Sequence, residues 1–252
     1  MKKTIAVFLT AGLLAATGCS EAEQTAELEY PWPTQAISPD AVGFRAVVAQ
    51  TDGTVQQGLA SEPEAGNLDE LWAKVGTEAA DLARSLTAPA ALGGSGDALA
   101  PFAGLSPAEV ELLPPEVAFN VPYIHCGQLA DLPRQYPDAA AQTAACDSDA
   151  VKYLLDPRAL NGGDLAEARI DTDINTGGYK IILEFTAAGA DRWAAFTTAN
   201  VGNQVALLIG DEVLTAPSIS GPIVDSTTEI TGEFTLDEAE EIISRMRAAL
   251  TD

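Results

Sequence analysis

Few residues in this chain are of types that do chemistry at a defined spacing. Asp171, Asp173 and Asn175 stand at alternate positions, as at the start of a calcium-binding loop. That loop needs glycine at its sixth position and a bidentate glutamate at its twelfth. Those positions hold Thr176 and Ile182, so the segment reads as a polar turn through Asn175-Thr176-Gly177-Gly178. His125 is the single histidine, and neither a serine nor a carboxylate is placed beside it in sequence for acid–base or nucleophilic work. Gly93-Gly94-Ser95-Gly96 is not a nucleophile elbow, because Asp97 stands where the second glycine is required. Phosphate-cradling glycine loops are absent. The expectation is therefore no catalytic residues, no cofactor and no metal. A hydrolase built around His125 is the least supported alternative, because residues distant in sequence can still meet in the fold.

The chain has three cysteines. Cys19 closes a basic, then apolar, start. Lys2 and Lys3 precede a run from Thr4 to Ala16 of about 13 mostly apolar residues, within signal-peptide range and short of the ~20 that span a bilayer. Ala16-Thr17-Gly18-Cys19 then has the form of the lipobox at which a cysteine thiol is acylated and the peptide cut before it. The expectation is cleavage of residues 1–18 and lipid (palmitate or a similar chain) on Cys19. The alternative is an ordinary cleaved signal peptide with a stray cysteine. No later apolar run exceeds strand length; Val205–Ile209 is typical. Lipid is thus the expected anchor, at the outer face of the cell membrane. Outside the cytoplasm the remaining pair, Cys126 and Cys146, is expected to form a disulfide. Closing a loop of ~20 residues, it contributes roughly 3 kcal/mol on the chain-entropy model. A metal site using His125 beside Cys126 is the competing reading. It suffers from adjacent residues rarely facing one ion.

With 37 acidic and 13 basic residues, the formal charge is −24. That excludes a basic face for nucleic acid and disfavours a peripheral grip on anionic lipid. The acids are scattered and read as a solubilising surface.

Residues 19–40, with Pro31, Pro33 and Pro39, read as an extended tether carrying Trp32. Gly43 to Gln50 reads as a strand. Leu68, Leu71, Trp72, Val75, Ala79, Leu82 and Leu86 give one apolar stripe, so 68–86 is expected as a single helix capped by Asn67. Thr87 to Gly104 reads as a loop. Ser106-x-x-Glu109 has capping-box form, with Pro107 in the first turn and Pro114-Pro115 as a stop. Tyr179 to Phe185 alternates as a strand; Thr186 caps a helix to about Asn200. Trp193 and Phe196 are read as packing that helix on its sheet, with a binding face as the alternative. Gln204–Ile209 and Glu212–Thr215 form a hairpin across Gly210-Asp211. Thr228 to Phe234 is a strand, and Thr235-x-x-Glu238 opens a last helix. The class is α+β, with a mostly antiparallel sheet and packed helices.

In order and spacing, several of these pieces resemble the first external domain of SecD, the SecDF translocon accessory. They are Tyr153–Pro157, Ile182–Thr186, Thr197–Leu208, Glu212–Pro217, Ile230–Thr235 and the helix start at Glu238-Ala239; Gly43–Val48 is similar to that domain's early strand, and the Cys126–Cys146 segment to actinobacterial versions. Gly210-Asp211 stands where the family has Asp-Gly, and the glycine pair near Ser226-Thr227 is missing. The resemblance implies a head plus ferredoxin-like base elements, with 151–252 as the head-like region and 41–150 as a variable base or linking region. It implies a non-enzymatic accessory of protein transport that contacts exported polypeptide or translocon components through a cleft between its subdomains. SecD's six membrane helices have no counterpart here, so its proton path is not carried over. A small-ligand or calcium-binding envelope lipoprotein is the alternative.

Overall fold

The computed structural model describes residues 39–54, 64–91, 94–130, 132, 137–174 and 177–247. Its class is α+β, built on two sheets. The expected lipidation at Cys19, and Trp32, lie outside the described residues. Among the described residues no helix is long and apolar enough to cross a membrane.

The larger sheet closes on itself. Strand β1 (Val42–Asp52) is long enough to hold different partners along its two edges. β7 (Val205–Ile209) pairs with residues 42–46 on one edge. β3 (Val151–Leu155) and the short β4 (Leu160–Asn161) share the other. A bulge between Val47 and Ala49 bends β1 between these partners. β3 pairs with β2 (Thr143–Cys146), and β7 with β8 (Glu212–Thr215) through the Gly210-Asp211 hairpin. One parallel step, Cys146 opposite Glu212, joins β2 to β8 and completes the ring β1-β3-β2-β8-β7.

Period-two alternation gives every strand of the ring an inner and an outer face. Ala145, Tyr153, Leu155, Ala206, Leu208 and Val213 fill the inside, where alanines suit the narrow bore. Arg45, two residues from the inward Val47, is 1% exposed. Its guanidinium donates to the carbonyls of Asp138, Ala141 and Asp156 at 2.6–3.0 Å, which satisfies a charge that burial would otherwise penalise.

Two further cores lie outside the ring. Ala144, Cys146 and Leu154 face a helical layer of α1 (Leu68–Val75), α2 (Thr77–Ser85), α3 (Pro107–Glu111), α4 (Pro115–Asn120) and α5 (Cys126–Ala130), with a 3-10 stretch at Gly94–Gly104. The expected single helix over 68–86 is two. Gly76 has φ +88° and ψ 154°, a conformation open essentially to glycine alone, and it turns the chain between them. Pro115 starts a helix rather than merely stopping one, since a first-turn proline loses no hydrogen bond. Part of the expected 87–104 loop coils into the 3-10 stretch.

On the opposite side Val42, Phe44, Val205, Leu207 and Ile209 pack against the second sheet and its helices. That sheet is antiparallel in the order β5-β6-β9: β5 (Leu165–Thr172), β6 (Tyr179–Phe185) and β9 (Thr227–Phe234). Helix α6 (Ala187–Ala199) starts on Thr186, whose hydroxyl accepts from Gly189 N. Helix α7 (Leu236–Arg247) starts on the reciprocal Thr235–Glu238 box and buries Ala239, Ile242, Ile243 and Met246. Each fully buried large apolar side chain contributes about 1.5–3 kcal/mol.

Candidate functional site

Where the three-stranded sheet meets the ring, the packing is incomplete and leaves an apolar cleft of about 340 Å³. Phe44 and Leu207 of the ring form one wall, and Leu183 and Ile230 of the three-stranded sheet another. Trp193 of α6 stands at the back, 2% exposed. Its ring stacks on Phe185 and Phe196 at 5.3 and 5.9 Å between centroids, and Phe44 lies tilted at 5.3 Å. Such aromatic pairs add about 0.5–1.5 kcal/mol beyond area burial. Trp193 is therefore both a packing residue and a cleft residue, so the two readings of its helix face are not exclusive. Its indole Nε1 is buried with no hydrogen-bond partner among the described residues.

The segment 216–223 forms the rim. It is held by Val205 N to Pro217 O (3.0 Å), by Gly202 N to Ile219 O and Ile219 N to Asn203 O (both 2.8 Å), and by Ile223 N to Thr197 Oγ1 (3.0 Å). Thr197 itself is fully buried and donates back to Trp193 O at 2.9 Å, so the rim is tied to the residue at the back. Glu229 borders the cleft through its place on β9, while its two carboxylate oxygens each lie 3.0 Å from Lys180 Nζ across the sheet. Val224, 74% exposed, follows the rim.

Other recesses are less suited to a ligand. One of about 520 Å³ is lined by Arg158, Asp164 and Arg192, but Arg158 is paired with Asp40 at 3.1 Å and Arg192 with Asp164. Another, of about 350 Å³, flanks Cys126 and Cys146.

The residues singled out in the sequence are scattered. Cys126 and Cys146 are bonded, with Cα atoms 5.7 Å apart, fastening α5 to β2. His125, beside them, makes no ring hydrogen bond among the described residues, and its Nδ1 is buried. Burial, helped by the nearby Lys152 charge, holds its imidazole below the usual histidine range. Asp171 lies within β5, opposite Lys180 of β6, and Asp173 begins the turn between them; Asp173 N donates to Gly178 O, and Gly177 N to Asp173 O. Asn175 and Thr176 are outside the described residues. Among the described residues, no three His, Cys, Asp or Glu side chains are grouped to hold a metal ion.

Sequence reading missed a second internal cation. Lys152 is fully buried on the outer face of β3. Its Nζ donates to the carbonyls of Ala118, Val121 and Ile124 at 3.2, 3.0 and 2.8 Å. Three donors meet three acceptors at the end of α4. Burial pushes its ammonium down to about 7, against the Asp52 carboxylate, which raises it.

Comparison with known proteins bears on the same half of the chain that forms the cleft. The family model "SecDF, P1 head subdomain" matches residues 138–251. Protein translocase subunit SecD of Acidaminococcus fermentans is 37% identical over 89 residues, 35% of this chain and 21% of that protein. SecD of Dictyoglomus turgidum gives 37% over 89 residues, 35% and 22%. SecD of Mycobacterium tuberculosis gives 29% over 114 residues, 44% and 20%. The chain thus spans about a fifth of the length of these relatives. A solved structure described as a membrane component SecDF that enhances protein export aligns over 82% of this chain and 92% of its own, with 19% identity and a TM-score of 0.36. Residues 138–251 are thus similar to the P1 head subdomain of SecDF.

Proposed function

We propose that this protein is a non-enzymatic accessory of protein export that receives exported polypeptide in the cleft between the three-stranded sheet and the ring. The supporting observation is an open apolar cleft backed by Trp193 and lined, apart from Phe44, by residues of the region that matches the SecDF P1 head. The walls are apolar and aromatic, and the rim sets Ser218 and Ser220 among apolar residues, a concave lining suited to apolar side chains. In this reading residues 1–18 are a signal peptide, Cys19 carries lipid, and 19–40 is a tether to the outer face of the cell membrane. Residues 41–150 supply the base region with its disulfide, and 151–252 the head. Translocon components are the partners in the membrane, and nucleic acid is not a partner.

The test uses the full chain and a permanently unfolded polypeptide, reduced and carboxymethylated, in a titration followed by anisotropy. Saturable binding that a Leu207→Asp change weakens about tenfold supports the reading. Absence of binding, together with failure to co-purify with any membrane complex, removes it.

A further inference from the structure

We infer that the free edge of β9 is the docking element of this cleft, and that its occupant is an extended polypeptide segment, alternately apolar and basic, added as a further strand. This rests on the polypeptide-contact reading above and specifies how contact is made.

Phe185 N donates to Ser226 O at 2.7 Å, and the register pairs Leu183 with Thr228 and Ile181 with Ile230. In an antiparallel pair the bonded positions alternate, so 226, 228 and 230 direct their N–H and C=O groups to β6. Thr227 and Glu229 direct theirs outward. These outward groups have no partner among the described residues. A bulge follows, before Phe234 pairs with Tyr179. β9 is thus an edge strand, and such an edge is a template for another backbone unless something blocks it. Among the described residues no element covers residues 227–230, which carry no proline and precede the bulge, and Thr228 to Thr231 line the cleft.

The two faces of β9 set the side chains of the occupant. Thr228 and Ile230 face the core side, where the cleft is lined by Leu183 and Trp193. Residues of an added strand on that face are apolar. Thr227, Glu229 and Thr231 are exposed on the other face, and Glu229 is half exposed despite its bond to Lys180. Opposite them a basic side chain is favoured, by roughly 0.2–1 kcal/mol for one cross-strand pair. The −24 charge of the chain strengthens that preference. It also argues against a second copy, which would set Glu229 and Asp225 against their equivalents.

The experiment uses the full chain and a fluorescein-labelled peptide of alternating valine and lysine, matched to the 8 residues of β9. Two further peptides carry backbone N-methyl groups, one on each alternate set of residues. Strand addition places only one set of N–H groups against β9. One methylated peptide should therefore lose about tenfold or more in affinity, while the other stays within about twofold. Glu229→Pro, which removes an outward donor and leaves the bonds to β6 intact, should weaken the unmethylated peptide similarly. Glu229→Gln should weaken it less and reduce its salt dependence.

Equal binding by both methylated peptides overturns strand addition but leaves the cleft reading standing. The same follows if the peptides fail while carboxymethylated polypeptide still binds. Loss of both kinds of binding ends the wider reading as well. A dimer on size exclusion that Glu229→Pro dissolves assigns the edge to a second copy and also overturns the proposal.

Discussion

Cys146 faces Glu212 across the single parallel step that closes the five-strand ring, and the same cysteine is bonded to Cys126 of the helical layer. The disulfide therefore fastens α5 to β2 at the residue that forms the thinnest seam of the ring, without itself crossing that seam. On its other edge Glu212 is paired with Ile209 of β7, and its carboxylate meets Arg245 of α7 at 2.8 Å.

Cys126→Ser with Cys146→Ser should lower stability by about 3 kcal/mol, the loop-entropy value for a separation of 20 residues. Hydrogen exchange should accelerate at Thr143–Cys146 and Glu212–Thr215 before it does in β5 and β6. Uniform acceleration would mean that the bond stabilises the whole unit and not the seam.

Gly76→Ala isolates a backbone effect. The space beside Gly76 is open, yet its φ of +88° is costly for any residue with a Cβ. A loss of about 1–3 kcal/mol is expected in urea unfolding. No loss would show that α1 and α2 can join as one helix.

Lys152 makes stability depend on pH. Its folded value of about 7 lies below the ordinary 10.5, so between those values the unfolded chain binds the extra proton. Stability therefore rises as pH rises through that window, by at most about 1.4 kcal/mol per pH unit, and is lowest below it. Lys152→Met should flatten the rise, and should cost about 1–3 kcal/mol for carbonyls left unbonded. A flat profile in the unchanged protein would mean that the carbonyls of Ala118, Val121 and Ile124 keep the ammonium charged.

Trp193→Ala should cost about 3–5 kcal/mol and Trp193→Phe under about 1.5, because only the former empties the stack on Phe185 and Phe196. Thermal unfolding distinguishes them. Similar losses would mean that the cleft, rather than the stack, absorbs the change.

What was legible in the sequence was local. The Thr186 and Thr235 caps, the Gly210-Asp211 hairpin and the alternation of Tyr179–Phe185 depend on neighbours within a few residues, and each forms as read. The ring does not depend on neighbours: β1 meets β3 and β7 only after long stretches of chain, and no local pattern encodes those pairings. Arg45 and Lys152 look like surface charges, since their partners are main-chain carbonyls that carry no sequence signal. Gly76 was hidden by an apolar stripe that continues in phase across it. The cleft was half legible, because Trp193 was marked as core or binding face and occupies both.

The most direct measurement is photo-crosslinking from defined positions of the full-length protein in intact cells. A photoreactive residue replacing Thr228, in the cleft, should capture newly exported polypeptide; one replacing Glu167, exposed on β5, should not. Capture from Glu167 alone, or equally from both positions, would contradict a role for the cleft.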